Sequence, residues 1–293
     1  MVRITLVYLN NQHPYYGSKL QKIPDTKSMR TRPVEGAQAI HRAISLLKQV
    51  AVHQKRGVRL QVLCDEIGLG MPTAHRILRS LLSEGLITKD NEGCYRLGPL
   101  TYELGLASAP NFDIRKICAP SLERLAANSG DTAFLTVRSA LDAVCVDRRE
   151  GHYPIKALTL DIGSRRPLGA GVNSLALLMP LPQAEAQEIL NANARRFSQF
   201  GMEMDAIRKA LEEARELGYW VSDGVLIKGH RGLAVPCVDP EGRPLASLTL
   251  AAISMRINQQ RLPELVALLQ FEAQRVTNML RNSSMPLYWP SDT

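Results

Sequence analysis

From Ala37 onward the apolar residues Ile40, Ala43, Ile44, Leu47 and Val50 recur at helical spacing, predicting one amphipathic helix to about Val52. His53-Gln54-Lys55-Arg56-Gly57 interrupts the pattern, and Leu60, Leu63, Cys64 and Ile67 resume it as a second helix. Gly68-Leu69-Gly70 then predicts a tight turn, because glycine reaches backbone conformations closed to other residues. A third helix opens at Met71-Pro72, where proline suits the first turn, and stops near Gly85. Its inward stripe is Ala74, Ile77, Leu78, Leu81 and Leu82, which leaves Thr73, His75, Arg76 and Arg79 to face outward. Residues 86–89 and 94–97 read as two short strands around Asp90-Asn91-Glu92-Gly93, a hairpin. Helix, helix, glycine turn, helix, hairpin is the order of a winged helix-turn-helix, whose last helix can enter the major groove.

The rest of the chain patterns differently. Residues 99–110 look helical and end at Ala109-Pro110, as a linker helix would. A helix through residues 122–127 is closed by Asn128-Ser129-Gly130. β-formers dominate residues 132–138, 143–147 and 155–160, three expected strands. Helical patterns follow at 173–179, 183–192 and 204–217, then strands at 219–225, 232–238 and 245–253, and a closing helix at 262–279. Hairpins, then helices, then more hairpins predict an α+β domain around an antiparallel sheet. The expected division is a flexible extension (1–35), a winged helix-turn-helix DNA-binding domain (36–98) and a linker helix (99–111). An effector-binding and oligomerisation domain (112–282) and a tail (283–293) complete it.

Charge sharpens this division. The 293 residues carry 36 Lys+Arg against 28 Asp+Glu, a net of +8. Residues 1–110 hold 15 Lys/Arg and 8 Asp/Glu, so nearly all the excess lies at the end where a polyanion is expected. Over half of it falls in residues 1–35, net +4, so the DNA-binding expectation rests on the placement of Arg76, Arg79 and Arg96 rather than on net charge. Residues 4–9 are apolar but too short for a signal peptide, and translation beginning near Met29 is an expectation that mass spectrometry of the native protein tests. No run approaches the roughly 18 apolar residues of a membrane span. Five scattered cysteines without C-x-x-C, and six histidines without H-x-x-x-H, offer neither a disulfide framework nor a metal site and suit a reducing cytosol.

No catalytic pattern emerges. Gly169-Ala170-Gly171 is a lone G-x-G, and neither a phosphate-binding loop nor a G-x-S-x-G elbow is present, so no enzyme and no cofactor are expected. The expected DNA contacts are Met71, Thr73, His75, Arg76 and Arg79 on the third helix, with Lys89 and Arg96 of the hairpin on phosphates. Gly169 to Ser174 lead into a helix whose free N–H groups favour a carboxylate, with Asn173 and Ser174 as the preferred polar contacts. His230, beside Lys228 and Arg231, reads equally as a further carboxylate partner or as part of a solvated loop.

Ala43-Ile44-Ser45-Leu46-Leu47, the stretch from Gly68 to Leu78, and Tyr95-Arg96-Leu97-Gly98-Pro99 resemble the IclR-type bacterial transcriptional regulators, over about residues 36–282. The resemblance implies a GAF-like effector domain and dimers or dimers of dimers joined through linker helices and C-terminal domains. It also puts pocket positions at Val172, Asn173, Ser222, His230, Gly232, Thr249 and Ala251. The chain departs from the family pattern where Gly169 replaces a histidine, Ser174 a glycine and Leu175 a lysine. Several members carry cysteine or serine at the positions of Gly232 and Ala251, so the small residues here imply room for an effector larger than a two- or three-carbon acid. The expected function is a cytoplasmic regulator of a catabolic operon that binds double-stranded operator DNA and a small aromatic carboxylic acid, and engages RNA polymerase as an activator. The competing classes are a nucleic-acid-tethered enzyme, which turnover of organic acids would reveal, and an architectural DNA-binding protein that ignores ligands.

Overall fold

A computed structural model describes residues 37–108, 114–222, 224, 227–239 and 241–281. The expected extension, the tail and the last residues of the linker lie outside these.

The N-terminal unit comprises α1 (Gln38–Val52), α2 (Leu60–Ile67), α3 (Met71–Ser83), β1 (Ile87–Lys89) and β2 (Tyr95–Leu97). Gly68 caps α2 in the left-handed conformation (φ 73°) and so turns the chain toward α3. Its neighbour Gly70 is extended and opens α3, ahead of Pro72 in the first turn. Ala74, Leu78 and Leu81 of α3 are buried against Leu46, Val50 and Leu63, with Ile77 and Leu82 packed beside them. β1 and β2 pair antiparallel, and a bridge from Val58 to Tyr95 stitches the α1–α2 connection onto the hairpin. One expectation needs correction: Ile40 and Ile44 are exposed, while α1 buries the expected Val50 together with Leu46. α1 is apolar over so wide an arc that spacing alone did not select the face that α3 covers.

The second unit follows α4 (Pro99–Ser108), which buries no residue. It contains α5 (Ile114–Ser129), β3 (Thr132–Ser139), β4 (Asp142–Arg149), β5 (Arg165–Pro167), α6 (Val172–Ala176) and α7 (Gln183–Phe197). α8 (Met204–Leu217), β6 (Trp220–Val221), β7 (His230–Val238), β8 (Pro244–Ile253) and α9 (Leu262–Arg281) complete it. The six strands form one antiparallel sheet in the order β5-β4-β3-β8-β7-β6. Residues 155–160, expected as a strand, form an irregular segment instead. Ala157 and Leu160 point inward there, but the edge of the sheet is taken by the short β5, which pairs with β4.

Alternation along the strands sorts the sheet into two faces. Ala133, Leu135 and Val137 of β3, Leu233 and Val235 of β7, and Leu248 and Leu250 of β8 pack against α5 and α9. At that layer Arg256 and Arg261 both clasp the buried carboxylate of Asp131, at 2.5 and 2.8 Å. The opposite face carries Phe134, Gly232, Ala234, Thr249 and Ala251, and it looks toward α6 and α8. The site lies on that second face.

Candidate functional site

On α3, His75, Arg76 and Arg79 are exposed and make no ion pair among the described residues, and Met71 is exposed at its start. Thr73 is half-buried on the same turn. Two arginines without ion pairs among the described residues, on a helix anchored by a buried opposite stripe, are what a groove-entering helix presents. Lys89 of β1 is also exposed, its Nζ 5.3 Å from the ring centre of the buried Tyr95.

Arg96 has another task. Nη1 donates to the carbonyls of Gln54 and Lys55 (both 3.1 Å), and Nη2 donates to that of Arg56 (3.0 Å) and to Asp90 Oδ2 (3.4 Å). Four of its five N–H donors therefore work inside the chain, tying the wing to the end of α1. Asp90 completes the hairpin by accepting from the backbone N–H groups of Glu92 and Cys94. The Cys94 and Glu92 backbone bonds and Arg96, opposed by a smaller desolvation, hold the Asp90 carboxyl below its ordinary range.

The second face of the sheet encloses a cavity of ≈ 360 Å³. Its floor is the register row Phe134–Thr249 with Ala251 and Gly232 beside it. Its walls are the entry to α6, the α8 residues Ala206, Ile207 and Ala210, Trp220 of β6, and Thr159 and Leu160 of the irregular segment. Of the expected contacts, Val172, Asn173, Ser222, His230, Gly232, Thr249 and Ala251 all line it. Ser174 does not: it is fully buried away from the cavity, and its Oγ donates to the Gly171 carbonyl. Asn173 Nδ2 reaches Thr136 Oγ1 at 3.3 Å, and Ser247 Oγ donates to the Asn173 carbonyl. Ser222 Oγ accepts from the Gly232 N–H at 3.2 Å, and His230 is half-buried at the rim. The Thr249 hydroxyl is buried with no hydrogen-bond partner among the described residues.

Two expectations about this site change. α6 has five residues, so little dipole accumulates at its start to hold a carboxylate. The bareness of Gly232 is already used, since a Cβ there would sit 2.7 Å from Val172 Cγ2. Gly169 is required for a related reason: φ is 102°, and a Cβ would meet Leu190 Cδ2 at 2.7 Å, so the family's histidine has no room.

Sequence reasoning missed Arg166, the second residue of β5, which lines the cavity. An adjacent Arg165-Arg166 pair was the only signal available, and alternation sends the two side chains to opposite faces. The Cys145 thiol, packed beside Phe134 and Ala251, is inert: burial pushes it up to about 12. Among the described residues no group of His, Cys, Asp and Glu is arranged to hold a metal ion, and no helix is long and apolar enough to cross a membrane.

The IclR helix-turn-helix model matches residues 39–91, and the model of the C-terminal domain of IclR bacterial transcriptional regulators matches residues 106–278. The chain belongs to the IclR family. Like the family, it is a ligand-responsive transcriptional regulator and not an enzyme. Among curated relatives, the transcriptional repressor AllR of Escherichia coli K12 is 29% identical over 232 residues, 78% of this chain and 84% of that protein. The AllR of Salmonella typhimurium is 28% identical with the same coverage. An IclR-family regulator from Brucella abortus shares the fold with a TM-score of 0.69 at 22% identity, over 86% of this chain and 95% of that one. An IclR homologue from Microbacterium hydrocarbonoxydans, solved with 4-hydroxybenzoate, matches with a TM-score of 0.62 at 23% identity, over 84% of this chain and all of that one.

Proposed function

We propose that this IclR-family protein regulates a catabolic operon in the cytosol, reading its operator through α3 and sensing a small aromatic carboxylic acid in the cavity behind the sheet. The observation that carries the effector class is the cavity: ≈ 360 Å³, floored by Phe134, flanked by Trp220, and apolar except for a few placed polar groups. That volume suits a single-ring acid, and the related Microbacterium protein was solved with one. Residues 36–98 are then the DNA-binding domain, 99–111 the linker and 112–282 the effector domain. Met71, Thr73, His75, Arg76 and Arg79 face base edges and neighbouring phosphates, with Lys89 on the backbone beside them.

One winged helix makes few base contacts, so two half-sites and a dimer, or a dimer of dimers, follow. Tyr102, Leu104 and Leu106 of α4 are 70, 55 and 55% exposed, an apolar surface that a second copy can cover. The sign of control is proposed as activation through RNA polymerase, with the AllR relatives' named role as repressors the opposite possibility. The narrower assignment, to the activator of 3-(3-hydroxyphenyl)propionate degradation, rests on sequence resemblance alone.

Footprinting of DNA flanking the gene, with and without aromatic acids, tests the reading. A protected sequence whose affinity or pattern changes with an acid is expected. Absence of protection under both conditions would sink it. In vitro transcription from the same fragment then fixes the sign.

A further inference from the structure

Arginine side chains in the effector domain mostly have carboxylate partners. Arg165 donates to Asp142 Oδ2 (3.2 Å) and Ser139 Oγ (3.0 Å), Arg138 pairs with Glu185 at 2.7 Å, and Arg256 and Arg261 share Asp131. Arg166 departs from this rule. It projects from the opposite face of β5 to Arg165, into the cavity, where its Nη2 donates to the Thr159 carbonyl at 2.8 Å. Among the described residues it has no carboxylate partner. Desolvation, opposed by the smaller influence of Cys145, holds its pKa below the ordinary arginine value. Glu203 also lines the cavity, but it is exposed to solvent and makes no ion pair with this guanidinium among the described residues. A desolvated cation without a counter-ion is costly to keep, and a ligand that brings the missing negative charge recovers that cost. The floor holds a second unfinished group, the Thr249 hydroxyl, which has no partner among the described residues.

We propose that Arg166 is the specificity-determining residue of the effector cavity: its guanidinium takes the carboxylate of the effector, and neutral analogues of the same shape are refused. The inference rests on the effector reading above and deepens it. The acid group lies at the β5 edge of the cavity and not at the entry to α6, so the ring extends over Phe134 toward Trp220. Nε, Nη1 and the second N–H of Nη2 are the donors left, and a two-point grip on a carboxylate pairs that Nη2 N–H with Nε or with Nη1.

Calorimetric titration of the full-length protein with 4-hydroxybenzoate, 3-phenylpropionate, hexanoate and 4-hydroxybenzamide tests this. The wild type is expected to bind an acid at least tenfold more tightly than the amide. Arg166→Gln should lose about 10- to 100-fold for the acid and stop discriminating, as charge-assisted hydrogen bonds are lost. Without ligand, Arg166→Gln should unfold at the same temperature as wild type or higher, since a desolvated charge is gone; an arginine that served packing alone would lower it. Arg166→Lys keeps the charge and should retain the preference for acid, which guards against a folding defect in the glutamine variant. Unchanged acid affinity in Arg166→Gln overturns the inference and leaves the aromatic-acid reading standing, as does equal binding of acid and amide by the wild type. Binding of hexanoate alone, lost in Arg166→Gln, overturns the aromatic reading and supports Arg166. Failure of all three acids to bind overturns both.

Discussion

At the scale of single residues, the cavity is shaped by atoms that are missing. Gly232 lets Val172 Cγ2 fill the position where its own Cβ would stand, at 2.7 Å. Gly232→Ala should therefore lower stability by about 1–3 kcal/mol, the usual range for overpacking a filled interior. Val172→Ala in the same chain should return part of the loss, because the two residues share one space; a urea-denaturation double-mutant cycle checks this. Thr249→Val is a contrasting case. It removes a buried hydroxyl without a partner among the described residues, so unfolding of the free protein should be unchanged or about 1 kcal/mol harder, while effector affinity falls. Such contacts were only partly legible in the chain. Thr249, Ala251 and Gly232 were placed at the pocket by the family resemblance, and strand register then sets them on one face. That Val172 had already claimed the room beside Gly232 depends on residues sixty positions apart. Arg166 was hidden for a different reason: an arginine's role here follows from the partner it lacks, and no sequence pattern records that.

At the scale of elements, periodic segments read well and short edge pieces read badly. The helix-turn-helix emerged because α2 and α3 have single apolar faces and Gly68 needs a left-handed backbone. The segment 155–160 has the composition of a strand, yet Ile155 and Leu158 are about half exposed there. Pairing with β4 is instead made by the arginine-rich β5, whose three residues carry no β signal, so tertiary pairing overrode local propensity. The wing shows the same dependence on distant partners, and Arg96 and Arg76 should differ when mutated. Arg96→Ala unfastens the wing from the carbonyls of Gln54, Lys55 and Arg56, so amide exchange should quicken across residues 54–58 and 89–96. Arg76→Ala should leave exchange unchanged and weaken operator binding by roughly 1–3 kcal/mol if it reads a base. A uniform loss across sequences with a shallower salt dependence would make Arg76 a phosphate contact. The α5–α9 layer adds a pH dependence. Burial acts to raise the Glu272 pKa, but hydrogen bonds from Arg124 and Ser121 and the charges of Arg124 and Arg275 outweigh it and leave it lowered. Its contribution is thus fully present above the unfolded glutamate pKa of about 4.3 and is lost as pH falls through the lower folded value. Thermal melts should steepen their decline below about pH 4.3, and Glu272→Gln should flatten that decline.

At the scale of the whole molecule, α3 and the cavity belong to separate units, so under the proposed function an effector acts by favouring one arrangement of two DNA-binding units over another. The proposed pairing would use α4, apolar and unburied within the single chain. α1 adds Ile40 and Ile44, exposed at 67 and 45%, which the first unit's core leaves uncovered. Leu104→Glu together with Leu106→Glu places two charges on that surface without touching a buried contact. Sedimentation should then shift toward the single-chain mass, and melting of the chain should move little. Operator binding should lose its dependence on two half-sites, falling to the affinity of one head for one half-site. Effector binding separates the cavity from the interface. If the acid favours the paired arrangement, the variant should bind it more weakly by the same factor by which the acid strengthens pairing in the wild type, since coupling between the two is reciprocal. An unchanged mass would move the interface elsewhere on the molecule. A changed mass with unaltered affinity for acid would mean that the cavity responds to the DNA heads through some arrangement other than pairing.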